Sequence, residues 1–487
     1  MSASRFDLSR FRIQIPQTPI NVESPHLRTS FSPDSSLPVP EDACPTCGRK
    51  KGTKNLIVCL DGTANQIGVK NTFVVQLYDL LEKDSGETFN PDEDPQRGKC
   101  CPRRQMAYYS SGLGTYATTR TFKLPLGLMK RWIRSFADVA FAWHFEEIVM
   151  KAYQWLSTYY ESGDRIYLFG FSRGAYQVRT LAGMIGKVGL LYPGNIEQIP
   201  FAYEQYVKGS STFRTPVLRE APVHFVGAWY SERDTVSSIG PFSRISLPFA
   251  SFSDNVKFYR HALALDEHRV RFVAEYLDER TGMEELQAEK KLRSVQSDQT
   301  SGESDDALPS HSSIHQMRRP TDGSKPKIKE VWFVGSHSDV GGGNMINPAL
   351  RIPSFSVDWM IHEARIAGLR FQPSKLWVSR DPFPARFLHH GVKPSLRGFW
   401  KCLERIPMKW LDYDHLGRAR MKFSFHTGKP RRVLNSQKIH ISVKLWYRFN
   451  PRVSPALAQT PGLMASLTQK NSFSIILKDG QWEFEVA

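Results

Sequence analysis

The chain has 487 residues, a net charge of +17, 40% apolar residues and 12% aromatic residues. That is enough apolar material for one large core or two smaller ones, and six cysteines in such a length exclude a disulfide scaffold. No window approaches 18 uninterrupted apolar residues, and the N-terminus has no apolar leader, so the expectation is a cytoplasmic protein without a membrane span.

Residues 1–53 are rich in Ser, Pro and Arg and read as a disordered N-terminal segment. Cys44 and Cys47 form C-P-T-C there, but no second Cys or His pair stands at zinc-ribbon spacing. The first strand is expected at Asn55–Leu60, ending in Asp61-Gly62-Thr63. Helical character follows over 71–81, then a polar loop over 82–104. A second strand is expected at Gln105–Ser110, ending in SGLGT, with helical patterns over about 127–160.

Residues 166–176 read IYLFGFSRGAY and are the most informative stretch of the chain. A buried-type strand runs into Gly170-Phe171-Ser172-Arg173-Gly174, and a helical pattern with Ala175, Val178, Leu181, Ala182 and Ile185 on one face follows. A bare G-x-S-x-G arises by chance about 0.15 times in a chain this long. The strand–turn–helix context makes it a nucleophile elbow, in which Ser172 is lifted above the sheet and Gly170 and Gly174 leave room for the turn.

Val223–Trp229 reads as a further strand, Asp266–Leu277 as a helix, and residues 295–326 as a flexible insertion of low complexity. Another strand is expected at Ile328–Gly335, ending in Ser336-His337-Ser338-Asp339-Val340 before a triple-glycine turn, with a helix over Ser356–Leu369. The remaining residues, 372–487, read as a C-terminal extension of short strands and loops, either a cap over the site or an appendage. The central domain then spans 54–371. Strands alternating with helices give an α/β fold, α/β-hydrolase-like, with a mostly parallel sheet covered on both faces. Ligands on such sheets bind at the carboxyl ends of the strands, where Asp61, Ser172, the 229–236 segment and His337 converge.

A serine hydroxyl needs a base, and the base needs an orienting carboxylate. Ser172, Asp234 and His337 occur in the hydrolase order of nucleophile, acid and base. His440, in a half-buried strand pattern, is the second candidate base; Glu232 and Asp339 are secondary candidates. His224 is expected inside a strand, and His261 and His268 near a helix, each structural. The backbone N–H of Arg173 is the first oxyanion donor, and Gly62 or Thr63 the second. Asp61 either orients this corner or closes a turn. An aspartyl-phosphate phosphatase reading fails because Cys59 stands where D-x-D-G-T needs its first Asp. Asp339-Val340-Gly341-Gly342-Gly343 lacks the lysine of a phosphate loop. No cofactor or metal is implied.

LIVCLDGTANQ, SGLGT, GDRIYLFGFSRGAY with RTLAGMIGKVGLL, HALALDE and VWFVGSHSDVGGG together resemble an uncharacterised α/β-hydrolase family. That family includes the catalytic domain of type VI secretion phospholipase effectors and many fungal members. The resemblance covers about residues 54–370, more weakly 435–451. It implies a serine esterase or lipase acting on acyl esters, with the nucleophile on Ser172 and the histidine on His337. The family pattern Gly-x-Trp-Asp-Thr-Val is interrupted here, because four residues, Tyr230 to Arg233, separate Trp229 from Asp234. Two readings stay open: a lipid or small-ester hydrolase that contacts anionic membranes peripherally, and a catalytically impaired scaffold that binds a ligand or partner. Nucleic-acid binding has only the net charge behind it, with no binding-module motif.

Overall fold

The computed structural model describes residues 53–62, 71–83, 104–112, 145–208, 216–229, 255–276, 327–343, 355–372, 401–402, 404–414, 419–434, 437–443, 446, 473–478 and 481–486. The expected N-terminal segment and its Cys44–Cys47 pair, the 295–326 insertion and the Tyr230–Asp234 stretch lie outside them.

In chain order the first elements are β1 (Lys54–Leu60), α1 (Phe73–Leu80) and β2 (Arg104–Ser110). Residues 145–159 form α2, followed by β3 (Arg165–Phe171) and α3 (Arg173–Val188). A two-residue pair, β4 (Leu190–Leu191) with β5 (Leu218–Arg219), brackets α4 (Ile199–Lys208). Then come β6 (Val223–Trp229), β7 (Val256–Ala264), β8 (Lys327–Phe333), α5 (His337–Gly341) and α6 (Phe355–Ile366). The C-terminal part contributes β9 (Met408–Tyr413), β10 (Ala419–Ser424), β11 (Lys438–Ile439) and the hairpin β12 (Phe473–Lys478) with β13 (Gln481–Val486).

Seven strands form one sheet in the order β11-β8-β7-β6-β3-β1-β2, and every pairing in it is parallel. Period-two alternation sends Leu56, Val58 and Leu60 of β1 to one face and Ile57 and Cys59 to the other. The first face packs under α2, α3 and α4, the second under α1 and α6. All five side chains are fully buried. A strand covered on both sides shows no polar alternation, which is why β1, β3 and β6 read as continuous apolar runs.

The chain steps from β1 outward to β2, then returns to place β3 on the opposite side of β1. The helices that follow β1 and β3 therefore lie on opposite faces, and a crevice opens between the carboxyl ends of these neighbouring strands. Asp61 and Ser172 stand at its rim.

Two expectations need correction. Asp266–Leu277 is not a helix: its described residues, 266–276, hold a turn and one short 3-10 stretch, Val270–Phe272. The strand before it, β7, was not anticipated, and His261 lies inside it with His268 in the turn beyond. Arg260 and His261 interrupt the apolar pattern of β7, yet both are buried with partners. Arg260 Nε meets Glu363 at 2.5 Å, and His261 Nδ1 meets Glu330 of β8 at 2.9 Å. Paired in this way, polar side chains are accommodated within a central strand. The strand expected at Ile328–Gly335 ends at Phe333, and Gly341 of the expected triple-glycine turn closes the short helix α5 that begins at His337.

Candidate active site

Ser172 sits between the end of β3 and the start of α3 with φ 56° and ψ −121°. This is a region that side chains with a Cβ rarely occupy, at a cost of about 1–3 kcal/mol, and the surroundings enforce it. The Ser172 N–H donates to the Trp229 carbonyl at 3.0 Å, and its own carbonyl accepts from Tyr176 N–H at 3.2 Å. A Cβ on Gly170 would land on the Gly174 carbonyl, and one on Gly174 on the Leu60 carbonyl. Backbone meets backbone at both positions, so no side-chain movement can relieve the clash. The Ser172 hydroxyl does not cap α3. Arg173 begins α3, where backbone N–H groups have no acceptor within the helix and the dipole favours negative charge.

Asp61, 1% exposed, ties the neighbouring corner together. Its Oδ1 accepts the Gly62 N–H at 2.7 Å, and its Oδ2 accepts the Thr72 hydroxyl at 2.7 Å and the Tyr109 hydroxyl at 3.1 Å. Burial, together with this carboxylate, raises the Tyr109 phenol well above its ordinary value. Asp61 thus joins β1, β2 and the start of α1. The Gly62 N–H, a candidate oxyanion donor, is committed to Asp61. Thr63 lies outside the described residues.

His337 comes from the far side of β7. The ends of β7 and β8 are clasped by two bonds: Asp266 N–H donates to the Gly335 carbonyl at 3.0 Å, and Gly335 N–H to Asp266 Oδ2 at 2.8 Å. Gly335 has φ 114°, which turns the chain toward the crevice. Asp339 then accepts the Ser336 N–H at 2.9 Å and the Ser336 hydroxyl at 2.7 Å, so its carboxylate shapes α5. The His337 ring stacks on Phe171, the residue before Ser172, at 4.7 Å and 29°. Gly341 lies against the same Phe171 ring, in the space a Cβ would need. The candidate nucleophile and candidate base are thereby anchored to the two ends of one aromatic contact.

A carboxylate that the motif reading passed over supports this arrangement. Glu267, fully buried, accepts the backbone N–H of His337 at 3.2 Å. It also accepts Arg269 through N–H at 2.8 Å, Nε at 2.9 Å and a terminal nitrogen at 2.7 Å. Burial opposes its charge, but Arg269 overcomes that and holds the carboxyl at about 2. The Arg269 guanidinium lies 3.5 Å from the Phe272 ring centroid, and Phe272 meets His337 edge-on at 4.9 Å. Burial pushes the His337 imidazole down to about 3, against the opposing pull of Glu267. The ring is therefore neutral near pH 7, the form a general base requires. Glu267 closes the HALALDE motif, and its place just after the sheet strand β7 is the sequence signal that points to it.

His440 occupies a different place. Its N–H donates to the Trp332 carbonyl at 2.9 Å, its Nδ1 accepts the Ser442 N–H at 3.2 Å, and its ring stacks on Phe333 at 4.7 Å. Burial pushes it to about 3 as well. It is not inside the expected half-buried strand: β11 ends at Ile439 and residues 441–443 turn helical, so His440 stands just past the sheet edge beyond β8. Asp234 and Glu232 lie outside the described residues. His224, inside β6 as expected, meets the Ala367 carbonyl at 2.9 Å. No cluster of three metal-ligating side chains, and no helix long and apolar enough to cross a membrane, occurs among the described residues.

The C-terminal extension reaches this region. A terminal nitrogen of Arg431 donates to the carbonyls of Arg269 and Phe272 at 2.6 and 2.8 Å, and Glu404 accepts the Val270 N–H at 2.5 Å. β11 pairs with β8, so part of the chain beyond residue 371 completes the central sheet.

Comparison with known proteins places this geometry in context. The family model "T6SS, Phospholipase effector Tle1-like, catalytic domain" matches residues 54–363. The "Uncharacterized protein YEL023C" of Saccharomyces cerevisiae is 33% identical over 238 residues, 45% of this chain; the match spans 32% of that protein's length. A solved structure described as "Structure of the Tle1 effector bound to the VgrG spike from the Type 6 secretion system" gives a TM-score of 0.31 at 16% identity. It covers 61% of this chain and 52% of that one. An uncharacterized protein from Pseudomonas aeruginosa gives 0.29 at 14%, covering 67% and 48%.

Proposed function

Because the chain belongs to the Tle1-like phospholipase effector catalytic-domain family, we propose that it is a serine-dependent hydrolase of carboxylic esters, with lipid esters as substrates. The observation that carries the reading is Ser172 held at φ 56° on a strand-to-helix turn, one residue from a ring that stacks on His337.

In this reading His337, neutral at the working pH, takes the Ser172 proton as Oγ attacks the ester carbonyl. The negative charge that develops on the carbonyl oxygen is met by the Arg173 N–H at the start of α3, with Thr63 supplying the second donor. His337 passes its proton to the leaving alcohol, and an acyl-serine remains. Water then attacks with the same histidine as base, returning the free serine and releasing the acid. Asp234 is assigned the orienting role. Glu267 fixes the backbone under the imidazole.

A fluorophosphonate probe tests the nucleophile: wild type should label and Ser172→Ala should not. The same variant should lose about 10⁴-fold or more of ester turnover. Equal labelling of both proteins overturns the reading.

One sequence feature favours a second reading, a scaffold without turnover: the four residues between Trp229 and Asp234. Deleting Tyr230–Arg233 separates the two. Hydrolysis that appears or rises on deletion indicates a disturbed triad, and continued inactivity supports the scaffold.

A further inference from the structure

The hairpin of β9 and β10 carries an apolar ridge that the hydrolase core does not use. The strands pair antiparallel with Leu411 opposite Met421 and Lys409 opposite Phe423, so these four share one face. Leu411 is buried in the core, but Met421 is 52% exposed and Phe423 is 68% exposed. Phe425, next in the alternation, is 53% exposed. β9 and β10 form a two-stranded sheet, and among the described residues no further strand lies beside β10. A single exposed apolar side chain is ordinary; two on an edge strand and a third one residue past its end are an aggregation hazard unless something covers them.

The charge around the ridge identifies the cover. Lys409 stands opposite Phe423 on the same face; Arg420 and Lys422 lie on the other face of β10, where they meet Asp414 at 3.8 Å and Asp412 at 3.6 Å. Residues 401–432 hold nine Lys and Arg against three Asp and Glu. One of those acids, Glu404, is buried against His426 at 2.6 Å. A second copy of this ridge would bring like charges together. An anionic lipid surface matches both the apolar ridge and its basic border.

The hairpin is also tied to the site. The Tyr413 hydroxyl bonds to Ala274 and Tyr276, and Glu404 and Arg431 hold Val270, Arg269 and Phe272. Phe272 packs on His337. We propose that the β9–β10 hairpin docks the protein on anionic phospholipid bilayers, with Met421, Phe423 and Phe425 entering the boundary between headgroups and acyl chains. The proposal rests on the lipid-ester reading for what the docked protein acts on, but the docking itself is independent of turnover.

Full-length protein is sedimented with phosphatidylcholine vesicles with and without phosphatidylserine. Wild type should bind the anionic vesicles, with binding weakened by salt. The variant M421S/F423S/F425S should bind them about tenfold or more weakly, and its hydrolysis of vesicle lipid should fall in parallel. Its cleavage of a soluble short-chain ester should stay at the wild-type level, which also shows that it folds. Lys409→Glu with Lys422→Glu should abolish the preference for anionic vesicles. Equal binding by wild type and the triple variant overturns the proposal, as does a wild type that binds no vesicles. A triple variant that turns a dimer into a monomer without changing vesicle binding assigns the ridge to self-association instead. Ser172→Ala separates the two claims, because it should bind vesicles fully. If wild type binds through the ridge yet cleaves no ester, the hydrolase reading falls and the docking stands; if it cleaves soluble ester without binding, the docking falls.

Discussion

The two strand-to-helix junctions that deliver Ser172 and His337 are built differently. At β3–α3 the conformation is enforced by backbone against backbone: Gly170 on the Gly174 carbonyl, Gly174 on the Leu60 carbonyl. At β8–α5 it is enforced by side chains and by residues distant in sequence: Glu267 on the His337 N–H, and Phe171 and Phe272 on its ring. The first junction is built of backbone and rigid. The second is assembled from parts, and each part can be altered separately.

The sharpest way to break that contrast is a pair of glycine substitutions. Gly174→Ala should be the most damaging, because its methyl group meets the β1 backbone and no neighbouring side chain can move away. A loss of about 4 kcal/mol in urea unfolding, or failure to fold, is expected. Gly341→Ala meets the Phe171 ring instead and should cost about 2 kcal/mol. Adding Phe171→Leu to Gly341→Ala should recover part of that loss, whereas adding it to Gly174→Ala should recover nothing. Equal responses of the two double variants would show that the junctions do not differ in kind.

The same contrast explains what the sequence could reveal. G-x-S-x-G between an apolar run and a helical period is a contiguous pattern in the sequence, so β3, Ser172 and α3 are legible, although the carbonyl that demands Gly174 belongs to Leu60 of β1. The parallel sheet followed from strands alternating with helices, and β1, β2, β6 and β8 stand where their apolar runs put them. β7 was not legible, because Arg260 and His261 look like solvent-facing residues until Glu363 and Glu330 are found beside them. Those acids lie 103 and 69 residues further along the chain. With β7 missing, Glu267 and Arg269 appeared to start a helix rather than to support the turn under His337. Phe272 carried no sequence signal at all: a lone aromatic in a loop has no period.

Glu267→Gln sharpens the comparison at the second junction. The amide oxygen can still accept the His337 N–H, but the charge that pairs with Arg269 is gone. Ester turnover should fall about 10- to 100-fold, corresponding to about 1.4–2.7 kcal/mol in the transition state, while KM for a soluble ester changes little. Glu267 raises the His337 pKa, so the acid limb of kcat/KM should also move to lower pH in the variant. An unchanged pH profile would reduce Glu267 to a structural residue. The equivalent charge test does not exist at the Ser172 junction, which is held by glycine backbone.

The smallest effect distinguishes the two buried histidines, and it follows from proton linkage. His337 and His440 are both pushed from 6.5 to about 3 in the folded protein. Between those values the unfolded chain binds protons that the native state refuses, so stability rises with pH and is lost as pH falls below 6.5. Each histidine contributes a slope of up to about 1.4 kcal/mol per pH unit in that window. Glu267, depressed from 4.5 to about 2, stabilises above 4.5 and adds its own loss only below that pH, so it does not contaminate the range between 5 and 6. His440→Phe keeps the stacking on Phe333 and should flatten the unfolding free energy between pH 5 and 6 by up to the share of one histidine. Ester hydrolysis should survive this change, because the Nδ1 of His440 is spent on Ser442 at the sheet edge. His337→Phe should flatten the slope by the same amount and abolish hydrolysis. If instead His440→Phe were the inactive variant, the base would belong to the sheet edge beyond β8, and the aromatic contact between Phe171 and His337 would have no part in catalysis.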